Sequence, residues 1–257
     1  MSQEFVLEAR GLTKEFRGFT AVDSVDLKIK EGTIHALIGP NGAGKTTVFN
    51  LLTKYLTPTR GDIRYRDKSI NAMSSNEIAR LGMVRSFQIS AVFPHMTVLE
   101  NVRVALQRPM GNSFHFWKHE KVLNQLNDRA MELLDSVGLA EYADITTVEL
   151  PYGRKRALEL ATTLALEPTV MLLDEPTQGM GHEDVDKVVE LIRKAAQGRT
   201  VLMVEHNLSV VSKLCDKITV LARGAVLAEG DYASVSADPR VREAYMGSDD
   251  TEVQGAH

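Results

Sequence analysis

The chain has few of the features that mark secreted, metal-rich or membrane-spanning proteins. Its 257 residues include a single cysteine, Cys215, which excludes an internal disulfide and a metal site built from several cysteines. No segment approaches the roughly 18 to 20 consecutive apolar residues that cross a bilayer. The first ten residues carry Glu4 and Glu8, where a secretion signal has a cationic and then an apolar region. We therefore expect a soluble, unprocessed chain in which Cys215 is a small buried residue.

The charge balance also lacks the excess of one sign that marks nucleic-acid-binding proteins. A formal net charge of -4 gives no electrostatic reason to expect a polyanion such as DNA as a partner. With 44% apolar and 25% charged residues, the composition is that of an ordinary globular protein. The chain is long enough to bury a substantial core in one or two domains.

Short apolar runs separated by helical patterns indicate an α/β fold. The runs are residues 25–29, 34–38, 170–173, 201–204 and 218–221. Residues 171–173 and 201–204 are uninterrupted, as expected of strands covered on both faces of a largely parallel sheet. Residues 25–30 alternate strictly between apolar and polar, which is typical of a half-exposed antiparallel strand. The sequence thus predicts a parallel core sheet with a peripheral antiparallel layer.

The middle third of the chain, residues 97–165, has a helical pattern and predicts an inserted helical subdomain. Thr97 and Glu100 form a capping-box start, and residues 118–137 place apolar side chains on one face before Gly138 ends the helix. Further helices are predicted over residues 184–196 and from Asp238-Pro239 to Tyr245, ahead of Gly247. The polar segment 248–257 is predicted to be disordered.

A glycine-rich loop lies between a predicted strand and a predicted helix. Residues 39–47 read Gly-Pro-Asn-Gly-Ala-Gly-Lys-Thr-Thr, a full match to the phosphate-binding pattern Gly-x4-Gly-Lys-Thr. Backbone N–H groups of such a loop converge on phosphate oxygens, and the helix N-terminus favours negative charge. Lys45 would reach the β- and γ-phosphates, and the Thr46 hydroxyl would ligate Mg²⁺. The alternative is a chance glycine turn capping an ordinary helix, but the flanking strand and helix favour the phosphate cradle.

Further polar residues stand at the ends of apolar segments. Asp174 and Glu175 follow the run 170–173, and ligands bind at strand carboxyl ends in open α/β sheets. Asp174 can hold magnesium through water, and Glu175 is suited to deprotonate the attacking water. Gln88 would contact the magnesium and the attacking water, and His206 would donate a hydrogen bond to the γ-phosphate. Each could by itself be a surface residue, but their joint placement favours a nucleotide site.

These motifs and their order along the chain resemble those of the nucleotide-binding domains of ABC transporters. The resemblance covers nearly the whole sequence and includes the segment Leu150-Pro151-Tyr152-Gly153-Arg154-Lys155-Arg156, which is similar to the family's signature loop. Residues 86–88, 93–102, 204–207 and 238–245 are similar to the ATP-binding subunits of branched-chain amino acid importers. Urea, amide and lipopolysaccharide transport ATPases share much of the same pattern, so these solutes stay open as alternatives.

The resemblance implies an ABC cassette with the P-loop NTPase fold, ATP and Mg²⁺ as ligands, and ATP hydrolysis coupled to transport. It implies a nucleotide-binding core in two parts, 1–96 and 166–247, around a helical subdomain with the signature segment at 97–165, and a tail at 248–257. Phe16 resembles the aromatic residue that stacks on adenine, with Val22 beside it, while Tyr152 and Gly153 would meet the γ-phosphate held by another subunit. The implied nucleotide-binding residues of the loop are Gly39, Asn41, Gly42, Ala43, Gly44, Lys45, Thr46 and Thr47.

The implied partners are a second ATP-binding subunit, identical or related, and transmembrane permease subunits, with a solute-binding protein contributing indirectly. Residues 89–95 would contact a cytoplasmic helix of the permease. The implied location is the cytoplasmic face of the inner (plasma) membrane, as a peripheral subunit, with no nucleic acid partner. An ABC ATPase acting on DNA or the ribosome is a weaker alternative, because such chains carry two cassettes or a coiled-coil insertion, and neither occurs here.

Three positions depart from the family's pattern. Pro151 stands where a serine hydroxyl normally contacts the γ-phosphate, and proline supplies neither a hydroxyl nor an amide hydrogen. Arg154 replaces the usual glutamine, and its charge would partly compensate. Gly181 stands where many relatives carry Asp or Asn that orders the dimer interface. Because of Pro151 we expect slower hydrolysis, with an ATP-binding regulatory module of little turnover as the alternative.

Overall fold

The computed structural model describes residues 5–86, 92–108 and 125–252. The strands are β1 (Phe5–Phe16), β2 (Phe19–Lys30), β3 (Ile34–Ile38), β4 (Arg60–Tyr65), β5 (Lys68–Ser69), β6 (Met83–Ser86), β7 (Val170–Asp174), β8 (Thr200–Val204), β9 (Lys217–Ala222) and β10 (Ala225–Gly230). The helices are α1 (Lys45–Leu52), α2 (Ser75–Arg80), α3 (Val98–Leu106), α4 (Asn127–Ser136), α5 (Tyr152–Leu164), α6 (His182–Ala195), α7 (Leu208–Leu214), α8 (Tyr232–Ala237) and α9 (Pro239–Glu252).

The strands form two sheets. The core sheet has the order β10-β9-β3-β8-β7-β6, and its strands pair in parallel except for β10, which runs antiparallel to β9. The second sheet, of order β2-β1-β4-β5, is antiparallel and has β2 at its edge. This arrangement confirms the predicted α/β fold with a largely parallel core and a peripheral antiparallel layer.

Both faces of the central strands β3, β7 and β8 are buried because their successive residues pack into different hydrophobic clusters. In β7, Met171 and Leu173 contact the cluster that includes α3 to α7, while Leu172 contacts the cluster shared with α1 and the antiparallel sheet. Strand β8 alternates in the same way. Two-sided burial is the physical reason why these strands are continuous apolar runs in the sequence.

Helices α3, α4 and α5 pack on one another beside β6 and form the helical region of the structure. Thr97 and Glu100 make the predicted capping box, with the Thr97 N–H donating to the Glu100 carboxylate at 2.8 Å. The described part of the helix predicted over residues 118–137 is α4, which is followed by Gly138 at a φ of 71°. Residues 109–124, including Val122 of the predicted apolar face, lie outside the described residues.

Two details differ from the sequence predictions. Cys215 is half-buried rather than fully buried, and its Sγ lies 3.7 Å from the Met203 Sδ. Burial nevertheless raises the pKa of its thiol to about 12. The C-terminal helix α9 begins at Pro239 as predicted but continues past Tyr245 and Gly247 to Glu252. A glycine lowers helix propensity without forbidding a helix, so Gly247 does not end this one.

Within residues 5–86, 92–108 and 125–252, the structure contains no helix that is both long and apolar enough to span a membrane.

Candidate functional site

The register of the core sheet brings the predicted site segments to one edge. Val204 at the end of β8 pairs with Leu37 of β3 on one side and with Asp174 of β7 on the other. The loop after β3, the carboxylates after β7 and the histidine after β8 therefore leave the sheet side by side. Parallel strands place their carboxyl ends at the same edge, which is where ligands bind in such sheets.

The glycine-rich loop has a conformation that requires glycine at two positions. Gly39 has a φ of 147°, and a Cβ atom there would lie 2.1 Å from the Leu221 carbonyl oxygen. Gly44 has a φ of 99°, and its Cβ would lie 2.7 Å from the Ala21 carbonyl oxygen. Of the other predicted loop residues, Asn41, Gly42 and Thr46 are exposed, Thr47 is half-buried and Ala43 is buried. The loop is thus an open face with accessible polar groups rather than a closed pocket.

The Lys45 side chain folds back into the loop. Its Nζ donates to the carbonyl oxygens of Gly39 at 2.7 Å and Pro40 at 2.9 Å, and the residue is only 6% exposed. Burial lowers the pKa of Lys45, while the nearby charges of Glu175 and Asp174 raise it. These contacts hold an ammonium group at the centre of the loop, where phosphate oxygens would replace the carbonyl partners.

Asp174 lies at the end of β7 with its side chain 10% exposed. Its Oδ2 accepts a hydrogen bond of 2.5 Å from the Arg85 guanidinium, a partner that sequence reasoning missed. The Asp174 carboxylate and the exposed Thr46 hydroxyl are hard oxygen donors of the kind that Mg²⁺ prefers. Two such donors fit magnesium in its usual arrangement, in which one or two protein ligands are supplemented by substrate phosphates and water.

Glu175 and His206 are hydrogen-bonded to each other through Glu175 Oε1 and His206 Nε2. The Glu175 side chain is 17% exposed and the His206 side chain is 41% exposed. Glu175 has a φ of 48°, in the left-handed region, and its N–H donates to the Val204 carbonyl at 2.9 Å. Left-handed backbone at a residue other than glycine persists only where the surroundings hold it, and here it turns the side chain toward His206.

Glu205, like Arg85, was given no role by the sequence analysis. It is 2% exposed, and its two carboxylate oxygens hold two loops together. Oε2 accepts from the backbone N–H groups of His206 at 2.8 Å and Asn207 at 2.9 Å. Oε1 accepts from the Thr177 N–H at 3.2 Å and from the Thr177 hydroxyl. The sequence signal was weak, because the partner Thr177 is 28 residues away.

The segment that resembles the signature loop starts α5. Pro151 is at the N-cap position and makes no side-chain capping hydrogen bond, in agreement with the missing hydroxyl predicted there. The Tyr152 hydroxyl donates to the Gln178 carbonyl at 2.9 Å and is thereby engaged within its own chain. Gly153 faces α6, where a Cβ would lie 3.4 Å from the Asp184 carboxylate carbon. The segment therefore packs against the loop that follows Glu175.

Arg154 lies over the ring of Tyr142, with its guanidinium carbon 4.0 Å from the ring centroid. This cation–π contact anchors the side chain to its own helical region. The charge that was expected to compensate for Pro151 is thus stacked on a neighbouring aromatic ring.

The predicted adenine-binding residues take different positions. Phe16 is 41% exposed at the end of β1, pairs with Phe19 across the hairpin, and has the Lys14 Nζ 5.1 Å from its ring centroid. Phe19 is 67% exposed, so the hairpin end presents two aromatic rings. Val22, predicted to contact adenine, has no exposed surface and packs beneath the loop, 3.5 Å from a Cβ built on Gly44.

Gln88, predicted to contact magnesium and water, lies outside the described residues, as do residues 89–91 of the predicted permease contact. The described strand β6 ends at Ser86, which pairs with Leu173 of β7. The chain thus enters this segment beside Asp174, and the roles predicted for it stay predictions.

Comparison with known proteins places the chain in a family. A family model described as ABC transporter matches residues 22–178, and one described as branched-chain amino acid ATP-binding cassette transporter matches residues 225–251. The chain is 39% identical to the high-affinity branched-chain amino acid transport ATP-binding protein BraF of Pseudomonas aeruginosa, over 94% of this chain and 98% of that one. It is 36% identical to LivG of Escherichia coli strain K12, over 96% and 99% of the two chains.

Solved structures agree. The ADP conformation of an ATP-binding cassette of an ABC transporter superposes with a TM-score of 0.82 at 28% identity, over 95% of this chain and 100% of that one. A dimeric cassette in a post-hydrolysis state, bound to ADP and phosphate, superposes with a TM-score of 0.73 at 25% identity, over 88% and 98% of the two chains. The chain therefore belongs to the ATP-binding proteins of the ABC transporter family.

Proposed function

We propose that this chain is the ATP-hydrolysing subunit of an importer of branched-chain amino acids. The observation that carries the proposal is the convergence of the glycine-rich loop, Asp174, Glu175 and His206 at one edge of the core sheet. The names of the similar proteins support the choice of solute, because BraF and LivG are branched-chain amino acid transport ATP-binding proteins.

In this proposal the loop binds the triphosphate and the carboxylates carry the chemistry. Lys45 exchanges its carbonyl partners for β- and γ-phosphate oxygens. Thr46 and Asp174 would hold Mg²⁺, which would neutralise charge on the phosphates. Glu175 takes the proton of the attacking water, and His206 exchanges its contact with Glu175 for a hydrogen bond donated to the γ-phosphate. Phe16 stacks on the adenine ring.

A Glu175→Gln variant tests the assignment of the base. It should bind ATP while losing hydrolysis by at least about a hundredfold, since general-base catalysis contributes roughly 10²- to 10⁴-fold. Phosphate release and nucleotide affinity would be measured on the same sample. Lys45→Ala should instead lose nucleotide binding, and Glu190→Gln, at an exposed position on α6, serves as the matched control. Undiminished hydrolysis by Glu175→Gln would refute the assignment.

We further propose that the open loop is completed by a second subunit. The exposure of Asn41, Gly42 and Thr46 supports this, because a ligand lying on them would remain open to solvent on one side. The residues that would meet that ligand from the partner are Tyr152 and Gly153. ATP should therefore convert the Glu175→Gln variant from monomer to dimer in sedimentation experiments, and persistence of the monomer at saturating ATP would contradict the proposal.

A groove beside the helical region is the proposed docking surface for a permease at the cytoplasmic face of the membrane. It has a volume of about 440 Å³, and the exposed rings of Tyr55 and Phe93 line it. Phe93→Asp should abolish co-purification with the permease while leaving the ATPase activity of the free subunit intact. Val226→Asp, which changes an exposed apolar residue of β10, is the control.

Pro151 bears on the second candidate, a regulatory module that binds ATP with little turnover. A serine at this position would restore a hydroxyl toward the γ-phosphate, where a charge-assisted hydrogen bond contributes about 1.5 to 3 kcal/mol. We expect Pro151→Ser to raise kcat about tenfold or more. Equal turnover of the two chains would show that the proline has no effect, and absence of phosphate release from both would favour the regulatory module.

A further inference from the structure

Arg85 on β6 connects the phosphate-loop helix to the carboxylate at the end of β7. Its Nη2 donates to Asp174 Oδ2 at 2.5 Å, and its Nη1 donates to Asn50 Oδ1 on α1 at 2.6 Å. The Arg85 and Asp174 side chains are only 12% and 10% exposed. The guanidinium carbon also lies 5.7 Å from the centroid of the Phe49 ring. The guanidinium is therefore fixed in position from both sides.

This contact neutralises the carboxylate to which the proposed function assigns the metal. A guanidinium stays protonated at every accessible pH, and an ion pair shielded from water interacts more strongly than an exposed one. The pair uses Oδ2 alone, and no group in the described parts of the chain donates a hydrogen bond to Asp174 Oδ1. Arg85 thus acts as the counter-ion of Asp174 in the nucleotide-free chain while leaving one carboxylate oxygen available.

A divalent cation that arrives alone meets no net negative charge at this site. The negative charge of Asp174 is already balanced by Arg85, and the Lys45 ammonium interacts with the negative charges of both Glu175 and Asp174. A cation that arrives on a triphosphate carries its own excess of negative charge, which the two basic side chains attract. The same two positive charges therefore offset the attraction of the carboxylates for the free ion and favour its nucleotide complex.

We propose that Arg85 is a positioning residue that prevents the empty site from binding a divalent cation, so that the cation enters only with the nucleotide. The inference rests on the proposed function in one respect, the assignment of Asp174 to the metal. In this proposal Arg85 determines the order in which the ligands bind and takes no part in the chemical step.

The test measures binding of Mn²⁺ alone, without nucleotide, through the electron paramagnetic resonance signal of the free ion. Arg85→Gln, which removes the charge, should bind Mn²⁺ about tenfold or more tightly than the native chain. Arg85→Lys, which keeps the charge, should bind as weakly as the native chain. Arg60→Gln removes an arginine of an exposed ion pair with Glu15 and should also leave binding unchanged. Equal Mn²⁺ affinity of Arg85→Gln and the native chain would overturn the proposal.

Asp174→Asn provides a second comparison that does not depend on the folding of an Arg85 variant. Without nucleotide, the native chain should bind Mn²⁺ no better than Asp174→Asn, whereas with ATP present the native chain should retain Mn²⁺ more tightly. A native site for free Mn²⁺ that Asp174→Asn abolishes would overturn the role of Arg85. Calorimetric titration of the native chain with Mg²⁺ and ATP distinguishes a failure of the proposed function from a failure of the role given to Arg85. Absence of ATP binding would refute the proposed function.

Discussion

At the scale of single residues, Glu205 holds together the two loops that carry the proposed chemistry. Its carboxylate receives three backbone N–H groups and the Thr177 hydroxyl, so both oxygens are fully engaged in a site that is 2% exposed. The loop with Glu175 and the loop with His206 are thereby fixed relative to each other. Hydrogen bonds to a charged group contribute about 1.5 to 3 kcal/mol each, and a buried group left without its partner costs more.

Replacement of Glu205 by glutamine should therefore impair both stability and turnover. The amide would place N–H groups against backbone or hydroxyl donors, so we expect a loss of about 2 kcal/mol in unfolding free energy. The kcat should fall while the affinity for ATP stays close to native, because the phosphate loop is not touched. Urea unfolding and steady-state kinetics check the two parts, and native kcat would contradict the role given to Glu205.

At the scale of elements, the strand–loop–helix unit of β3, the glycine-rich loop and α1 depends on close backbone approaches. The motif alone predicts that glycines are needed, but only the structure shows that each one serves a different purpose. Gly39 faces the Leu221 carbonyl at a distance that excludes any side chain, whereas a Cβ on Gly42 would meet nothing within 4 Å. Both have a positive φ, at 147° and 75°.

Gly39→Ala should be much more damaging than Gly42→Ala. The first change forces β3 and β9 apart or collapses the loop, and we expect a loss of about 3 kcal/mol or more together with loss of ATP binding. The second adds only the strain of a left-handed alanine, about 1 kcal/mol. Thermal unfolding of both variants checks the order, and similar losses would show that the Leu221 contact is not limiting.

At the scale of the whole molecule, the buried core sheet contains one histidine that limits stability in acid. His35 on β3 is fully buried, and its Nε2 is hydrogen-bonded to the Thr219 hydroxyl at 2.8 Å. That hydroxyl donates its only hydrogen to Glu229, so the His35 Nε2 must be the donor. Burial lowers the pKa of His35 to about 4, with a smaller opposing effect of Glu229 and a contribution from Lys217.

Because the pKa of His35 is lower in the folded chain than its usual 6.5, the unfolded state takes up the proton first as the pH falls. The contribution of His35 to the free energy of unfolding is fully present above about pH 6.5. It declines toward pH 4, by about 3 kcal/mol in total. His35→Gln should flatten the unfolding free energy over this range, measured by urea titration at several pH values. His95→Gln, at an exposed position, should leave the pH dependence unchanged.

Much of the fold was predictable because its signals are local. Uninterrupted apolar runs predicted the two-sided core strands, strict alternation predicted β2, and Thr97 with Glu100 predicted the start of α3. Helix ends were less certain, as α9 shows, because packing decides whether a glycine ends a helix. The division of the chain into core, helical subdomain and tail stays a prediction.

By itself, the sequence determined the chemistry that the site can offer: a glycine-rich loop with Lys45 and Thr46, two carboxylates after an apolar strand, and a histidine after another. Each of these is contained in a few consecutive residues. Only the tertiary structure decided which groups meet across long separations, as Arg85 meets Asp174 and Glu205 meets Thr177. Such pairings depend on strand order and register, which no local pattern of residues specifies.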